Sequence, residues 1–141
     1  MITSDPRLVL VDSNVILDVR TEDVAWFGWS ARALADAADK YQLAINPIIY
    51  AEVSVDADRI EDLDEELPER DYRRLPLPYE AGFLAGKAFL LYRRAGGERR
   101  SALPDFYIGA HAAVQRLALL TRDSSRYRTY FPTVALISPD A

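Results

Sequence analysis

The sequence predicts an α/β fold whose central sheet is mostly parallel, and three features predict it. Short, unbroken apolar runs at residues 8–11 and 117–120 end on polar residues, as strands buried on both faces of a parallel sheet do. Segments with apolar residues at helical spacing separate these runs, and strands that alternate with helices are typical of a parallel sheet. The length of 141 residues, half of them apolar, fits one domain spanning residues 1–141 with its own core.

In the first half of the chain we expect a strand at residues 8–11 and a helical turn from Asn14. A helix is expected at residues 21–40, because a threonine followed by two acids is a helix start signal and acids are favourable near the positive end of the helix dipole. A short strand at residues 43–45 precedes an Asn-Pro pair at residues 46–47. This pair predicts the start of another helix, since asparagine caps well and proline fits the first helical position.

In the second half an acidic helix is expected at residues 58–67, with Ile60 on its inner side. Leu75 and Leu77 belong to a short extended piece or to a loop. The remaining predicted elements are a helix at residues 79–94 with Phe83, residues 85–87, Leu90 and Leu91 on or near its inner side, a helix from Pro104 to about residue 115, and strands at residues 117–121 and 134–137.

Composition excludes several classes of protein. The chain has no cysteine, which excludes disulfides, thiolate metal sites and cysteine nucleophiles. No apolar run approaches the roughly 20 residues that a membrane span needs, and the first residues lack the features of a secretory signal, so we expect a cytoplasmic protein without membrane contact. A net charge of −5 argues against a protein that coats nucleic acid, yet it is compatible with a nuclease whose acidic pocket has a basic rim.

Four carboxylates share one kind of placement. Asp12 ends the first strand, Glu52 lies on the inner side of the helix after the second strand, Asp105 lies in the first turn of a helix, and Asp123 follows another strand. The carboxyl ends of parallel strands meet at one edge of the sheet, where ligands bind. Carboxylates gathered there repel each other, and a divalent cation removes the conflict. Ligands that are all oxygen favour Mg²⁺ or Mn²⁺ over zinc.

Each carboxylate also has a purely structural interpretation. Asp12 could cap the following helix, Asp105 could be favoured by the helix dipole alone, and Asp123 could belong to a turn. Glu52 is the hardest to explain in this way, because a carboxylate on an inward, largely apolar side is costly unless it is paired or bound to metal. Taken together, the four positions favour a metal site over four separate structural roles.

The motifs around these acids resemble those of one family. Residues 11–15 (VDSNV) resemble the opening motif of PIN-domain proteins. Residues 50–53 (YAEV), 103–112 (LPDFYIGAHA) and 120–123 (LTRD) look like the second, third and fourth motifs, in the right order. Residues 127–139 are similar to the end of VapC-type toxins in that superfamily. No single motif is highly specific, but the ordered set spans essentially the whole chain.

This resemblance implies a three-layer α/β/α sandwich and an Mg²⁺- or Mn²⁺-dependent endoribonuclease that cleaves RNA with metal-activated water. It implies a cognate VapB-type antitoxin as inhibitor, a pair that represses its own operon, and a homodimer or toxin–antitoxin hetero-oligomer. Asp12 and Asp105 match the main metal ligands, Glu52 and Asp123 complete the catalytic site, and Asn14 and Thr121 match supporting positions that donate or accept hydrogen bonds. His111, about 240° round the helix from Asp105 at roughly 3.6 residues per turn, faces away and is structural.

Basic residues flank two of the acids. Arg99 and Arg100 precede Asp105, while Arg122 and Arg126 lie beside Asp123. Such groups beside an acidic pocket suit an RNA phosphate backbone, although each arginine taken singly is typical of ordinary surface. The helix and loop at residues 48–67 are the expected docking site for the antitoxin, as in the family.

Three other functions compete with the toxin hypothesis. A non-catalytic regulator would bind metal or a partner in the acidic pocket and cut nothing. A PIN-like nuclease that processes RNA or acts on DNA would have the same composition. A phosphotransfer domain would need a lysine near the pocket, and the only lysines, Lys40 and Lys87, lie at no predicted strand end.

Overall fold

The computed structural model describes residues 7–97 and 103–140, and a five-stranded, all-parallel sheet organises them. The strands are β1 (Leu8–Val11), β2 (Gln42–Ile45), β3 (Tyr72–Arg74), β4 (Ala118–Leu120) and β5 (Leu136–Ile137). The helices are α1 (Ser13–Thr21), α2 (Phe27–Lys40), α3 (Pro47–Ser54), α4 (Ile60–Glu66), α5 (Tyr79–Arg94), α6 (Leu103–Gln115) and α7 (Ser125–Tyr130). They flank the sheet, which confirms the expected three-layer α/β/α architecture.

The strand order β3-β2-β1-β4-β5 places β1 at the centre of the sheet. The chain runs outward from β1 through β2 to β3, then returns to lay β4 against the other side of β1. Such a reversal creates a crevice beyond the carboxyl ends of the two strands. Asp12 follows β1 and Thr121 follows β4, so the topology brings these two residues to the same crevice.

The apolar runs form strands here because both faces of the sheet are covered. Every residue of β1 is buried, and Leu119 and Leu120 of β4 are completely so. The edge strand β3 differs, since Tyr72–Arg74 is half-buried to exposed, and no apolar run announces it. It lies just before Leu75 and Leu77, whose assignment the sequence left open, and Leu75 continues the pairing by donating its N–H to the Ile45 carbonyl at 2.9 Å.

The predicted start of the helix at residues 21–40 is wrong. Helix α1 continues through Thr21, and Glu22 ends it with a left-handed backbone conformation (φ 51°). Asp23 does accept backbone N–H groups, from residues 25 and 26, but it caps a turn rather than the helix. Helix α2 therefore begins only at Phe27.

Helix α5 has the expected bounds but only part of the expected inner face. Ala85 is buried as predicted, together with Ala81 and Ala88, whereas Phe83 and residues 86, 87, 90 and 91 are exposed. Small side chains allow α5 to pack closely along α6, and the larger residues remain outside. Ile60 in α4 is likewise exposed, against the prediction. In the described part of the chain, no helix is long and apolar enough to cross a membrane.

A neutral hydrogen-bonded pair ties α3 to α6. Asn46 caps α3 as predicted, because its Oδ1 accepts the N–H of Ile49 at 2.9 Å. Its amide nitrogen donates to Nδ1 of His111 on α6 at 2.9 Å, and His111 Nε2 donates to Gln115 Oε1 at 2.8 Å. Burial lowers the pKa of His111, so the ring is neutral and carries its proton on Nε2. His111 is therefore structural, as the sequence indicated.

Candidate active site

Asp12 lies in the crevice between β1 and β4 with only 3% of its surface exposed. Its backbone N–H continues the sheet by donating to the Leu120 carbonyl at 2.9 Å. Although Asp12 occupies the capping position of α1, its side chain makes no capping hydrogen bond. The carboxylate is therefore not used for the structural role that is commonest at this position.

Neutral donors converge on one oxygen of Asp12. The hydroxyls of Tyr127 and Thr121 donate to Oδ2 at 2.8 Å and 2.9 Å, and Asn14 Nδ2 lies 3.5 Å from the same atom. Asn14 also donates to the Thr121 hydroxyl at 3.3 Å and accepts the N–H of Arg122 at 3.3 Å. Among the described residues no donor reaches Oδ1. One oxygen of Asp12 is thus held in place while the other is available to a ligand.

Glu52 approaches from α3 and is half-buried. The buried hydroxyl of Ser13 donates to its Oε1 at 2.7 Å, which fixes the carboxylate beside the start of α1. Asp105 approaches from the first turn of α6, and its Oδ2 accepts from Nη1 of Arg126 at 2.6 Å. Asp123 is exposed, with its backbone N–H 3.2 Å from the Thr121 hydroxyl.

Burial and mutual repulsion raise the pKa values of Asp12, Glu52 and Asp105. Burial, followed by the charge of Asp105, raises the pKa of Asp12 from 3.8 to about 7, with a smaller contribution from Glu52. Burial and Asp105 also raise the pKa of Glu52. For Asp105, burial and Asp123 raise the pKa while Arg126 opposes them. The structure therefore brings all four predicted acids into one electrostatic neighbourhood.

The donor set fits a hard divalent cation in its chemistry. The candidate ligand atoms are all carboxylate oxygens, Oδ1 of Asp12 among them, and burial together with neighbouring acids raises the pKa values of Asp12, Glu52 and Asp105, which a bound cation would counter. Within residues 7–97 and 103–140, no three Asp, Glu or His side chains are gathered closely enough to hold an ion as they stand. In this arrangement Oδ2 of Asp105 contacts the guanidinium of Arg126.

The arginines predicted to surround the acids have different partners. Arg126 reaches the acids, whereas Arg122 Nε donates to Asp18 at 2.8 Å and its guanidinium lies 5.4 Å from the Trp26 ring centre. Asp18 is buried and also accepts from the Ser30 hydroxyl at 2.7 Å. Arg99 and Arg100 lie outside the described residues. Contact of these arginines with RNA stays a prediction.

Sequence reasoning gave no role to Tyr127, although it contacts Asp12 directly. Burial and the nearby acids raise its pKa well above 10, so the phenol stays protonated and remains a donor. Tyr127 lies on α7, a six-residue helix of four polar and two aromatic residues without an apolar stripe. The signal that could have revealed Tyr127 is its closeness to Asp123 in the sequence. A helix that begins at Ser125 starts beside the carboxyl end of β4, where the acids also lie.

Known families and solved structures show the class of protein to which this architecture belongs. The sequence model of the PIN domain matches residues 9–132. No curated protein matches the chain. The fold and the acidic edge thus define a PIN-like α/β protein. The chain belongs to the PIN domain family.

Several solved structures share the fold at low sequence identity. The chain is similar to VapBC-1 from nontypeable Haemophilus influenzae (TM-score 0.70, 16% identity, covering 93% of this chain and 97% of the other). It is similar to VapBC2 from Rickettsia felis, solved with a DNA fragment from its promoter (TM-score 0.68, 15% identity, 93% and 98%). It is also similar to FitAcB from Neisseria gonorrhoeae (TM-score 0.65, 20% identity, 93% and 97%).

Proposed function

We propose that this protein is an Mg²⁺- or Mn²⁺-dependent endoribonuclease that acts in the cytoplasm as the toxin of a VapBC-type toxin–antitoxin pair. The observation that carries the proposal is the convergence of Asp12, Glu52 and Asp105, with Asp123 beside them, at the carboxyl edge of a parallel sheet. Membership of the PIN domain family supports a nuclease, and similarity to VapBC complexes along 93% of the chain supports a toxin.

Asp12 and Asp105 would hold the cation, and Glu52 and Asp123 would complete the site directly or through water. When bound, such an ion activates water and stabilises the charge that develops on the phosphodiester. The protein's own residues prepare the site. Tyr127 and Thr121 fix Oδ2 of Asp12 without neutralising it, which leaves Oδ1 unengaged and the carboxylate ready to lose its proton near neutral pH.

The substrate would bind through its phosphates at the open side of the acids. Arg126 lies in a cleft of about 260 Å³ that also contains Asp105, Asp123 and Tyr92. A guanidinium matches the geometry of a phosphate, and phosphate contacts supply much of the affinity for nucleic acid. Arg99, Arg100 and Arg122 stay candidates for further phosphate contacts.

The antitoxin would dock on α3, α4 and the loop between them. A groove of about 500 Å³ with a mostly apolar lining lies there, formed in part by Tyr50, Ile60 and Leu75. Val55 and Ile60 expose much of their apolar surface beside it. An amphipathic antitoxin helix would cover these residues, and a basic side chain of the antitoxin would enter the acidic pocket. The assembly would be a toxin–antitoxin hetero-oligomer or a toxin homodimer.

The proposal is tested by incubating purified, antitoxin-free protein with total cellular RNA in Mg²⁺ or Mn²⁺. EDTA and an Asp12→Asn variant serve as controls. The expected result is a set of discrete RNA fragments that disappears in both controls. A matched sample of single- and double-stranded DNA should remain intact.

Other outcomes point to the competing functions. Cleavage of DNA in preference to RNA would replace the toxin with a DNA-directed nuclease of the same fold. Absence of any cleavage by protein that binds Mn²⁺ would favour the non-catalytic regulator. Cleavage that survives EDTA would refute metal dependence while leaving the ribonuclease.

A further inference from the structure

Within residues 7–97 and 103–140, Arg126 is the basic residue that lies closest to the acids. It lies in the first turn of α7, and its Nη1 is 2.6 Å from Oδ2 of Asp105. The guanidinium carbon also lies 5.3 Å from the centre of the Tyr92 ring. The next residue, Tyr127, donates to Asp12 at 2.8 Å. Helix α7 thus supplies a cation to one acid and a neutral donor to the other.

The Arg126–Asp105 pair differs from an ordinary structural ion pair in its surroundings. Both side chains are 32% exposed, and the other donor near the Asp105 carboxylate, the Tyr127 hydroxyl, directs its 2.8 Å hydrogen bond to Asp12. Arg122, in contrast, is paired with a carboxylate that is only 4% exposed and is also held by Ser30. An ion pair that is one-third exposed costs little to separate, because water replaces the lost contacts.

The same contact stands in the way of a cation. Arg126 holds one of the two Asp105 oxygens in a short charge-assisted hydrogen bond, and its guanidinium repels a divalent ion at close range, so it competes with a cation for this carboxylate. The pair also leaves room for the exchange. Arg126 borders the cleft of about 260 Å³, whose walls include Tyr92, Ser125 and Thr129, so the side chain can swing away from Asp105 without leaving the site.

We propose that Arg126 is an exchangeable counter-ion, which neutralises Asp105 until a divalent cation takes that carboxylate and then turns its released guanidinium to an RNA phosphate. The Tyr92 ring would support the guanidinium in both positions by a cation–π contact. The proposal rests on the metal-dependent ribonuclease function proposed above. It assigns Arg126 a role in the order of binding, in which the metal enters first and creates the phosphate site.

The first experiment measures Mn²⁺ affinity by isothermal titration calorimetry on antitoxin-free protein. The variant is Arg126→Gln, and the matched control is Arg128→Gln, which removes the same charge two residues along α7 from a side chain paired with Asp140. Arg126→Gln should tighten Mn²⁺ binding by about tenfold, since both the competing donor and the like charge disappear. Arg128→Gln should change it by less than about twofold.

The second experiment measures binding of a fluorescent, mixed-sequence single-stranded RNA by anisotropy, in EDTA and in Ca²⁺, with the RNA checked intact afterwards. Arg126→Gln should weaken RNA binding about tenfold in Ca²⁺, through the loss of one phosphate contact, and by less than about twofold in EDTA. Arg126→Lys keeps the charge without the fork of donors, so it should give intermediate values in both experiments. It also replaces Arg126→Gln as the test if that variant does not fold.

The outcomes separate this inference from the proposed function. Mn²⁺ binding by the wild type that Arg126→Gln leaves unchanged or weakens would overturn the exchange and leave the metal site standing. Equal loss of RNA affinity in EDTA and in Ca²⁺ would also overturn it, because Arg126 would then be a permanent phosphate contact. Absence of Mn²⁺ binding by both proteins would overturn the inference together with the metal dependence of the proposed function.

Discussion

The acidic edge of the sheet has a buried half and an open half, which handle charge in opposite ways. In the buried half, Asp12 is surrounded by the neutral donors Thr121 and Tyr127. In the open half, Asp105 faces the cation Arg126. Neutral donors position a carboxylate but leave its charge in place, whereas an arginine cancels the charge. The negative charge of Asp12 is therefore left for a metal cation to balance, whereas the charge of Asp105 is already balanced by Arg126.

The largest expected effect lies in the buried half. Replacing Asp12 with Asn should lower RNA cleavage by about 10³-fold or more, since a buried ligand and its charge are lost together. The matched change in the open half, Asp123→Asn, should lower it by roughly 10- to 100-fold, as expected for a residue that completes a site. Single-turnover cleavage rates measure both, and equal losses would show that the two halves do not differ.

A pH titration of stability should separate the halves as well. Folding raises the pKa of Asp12 from 3.8 to about 7, so between these pH values the folded protein holds a proton that the unfolded chain has released. The free energy of unfolding of EDTA-treated protein should therefore fall as pH rises across this range, by up to about 4 kcal/mol at 1.36 kcal/mol per pKa unit.

Urea denaturation from pH 4.5 to pH 8 measures this slope. The Asp12→Asn variant should lose most of it, and saturating Mn²⁺ should flatten it in the wild type because the ion replaces the proton. Glu52 and Asp105 contribute with the same sign, since their pKa values are also raised. A stability that rises with pH in EDTA would contradict the uncompensated charge at Asp12.

Two arginines sharpen the comparison at an intermediate scale. Arg122→Gln should destabilise the fold by about 2 kcal/mol, because it leaves the buried Asp18 without its cation; the loss stays below that of a fully buried pair, since Arg122 is 30% exposed. Arg126→Gln should cost less than about 1 kcal/mol, as exposed pairs do. Thermal denaturation of both variants in one buffer gives the difference, and a larger loss for Arg126→Gln would reverse the assignment of roles.

A similarly small effect is expected from one hydroxyl. Tyr127→Phe removes a 2.8 Å hydrogen bond from Asp12 and should reduce stability by about 1 kcal/mol. The pKa of Asp12 should rise further, because this hydrogen bond favours the charged carboxylate. The expected readout is a shift of the stability profile toward higher pH. An unchanged profile would mean that Thr121 alone holds Asp12.

Much of the fold was predictable because its signals are local. The apolar run of β1 and the Asn-Pro start of α3 each depend on a few adjacent residues, and both agree with the structure. Strand β3 was not assigned, because Tyr72–Arg74 is a partly exposed edge strand without an apolar pattern. Its extended conformation depends on its pairing with β2. The inner face of α5 was predicted only in part: Ala85 is buried as expected, but Phe83 and Leu91 are exposed, since close packing on α6 selects alanines over large apolar residues.

The candidate site was likewise predictable only where its signals are local. The four acids could be proposed from the sequence, because Asp12, Asp105 and Asp123 lie at strand ends or a helix start, and Glu52 lies on the apolar side of a helix. The partners of these acids could not. Tyr127 and Arg126 belong to a short helix without an apolar stripe, and their contacts with Asp12 and Asp105 span 115 and 21 residues of chain.

The amide of Asn46 has a consequence for how the site keeps its shape. It links the helix of Glu52 to the helix of Asp105 through His111, and every group in that link is uncharged and buried. Salt screens interactions between charges, so it does not weaken this uncharged link. The two helices that carry Glu52 and Asp105 are therefore joined by a contact that does not depend on ionic strength.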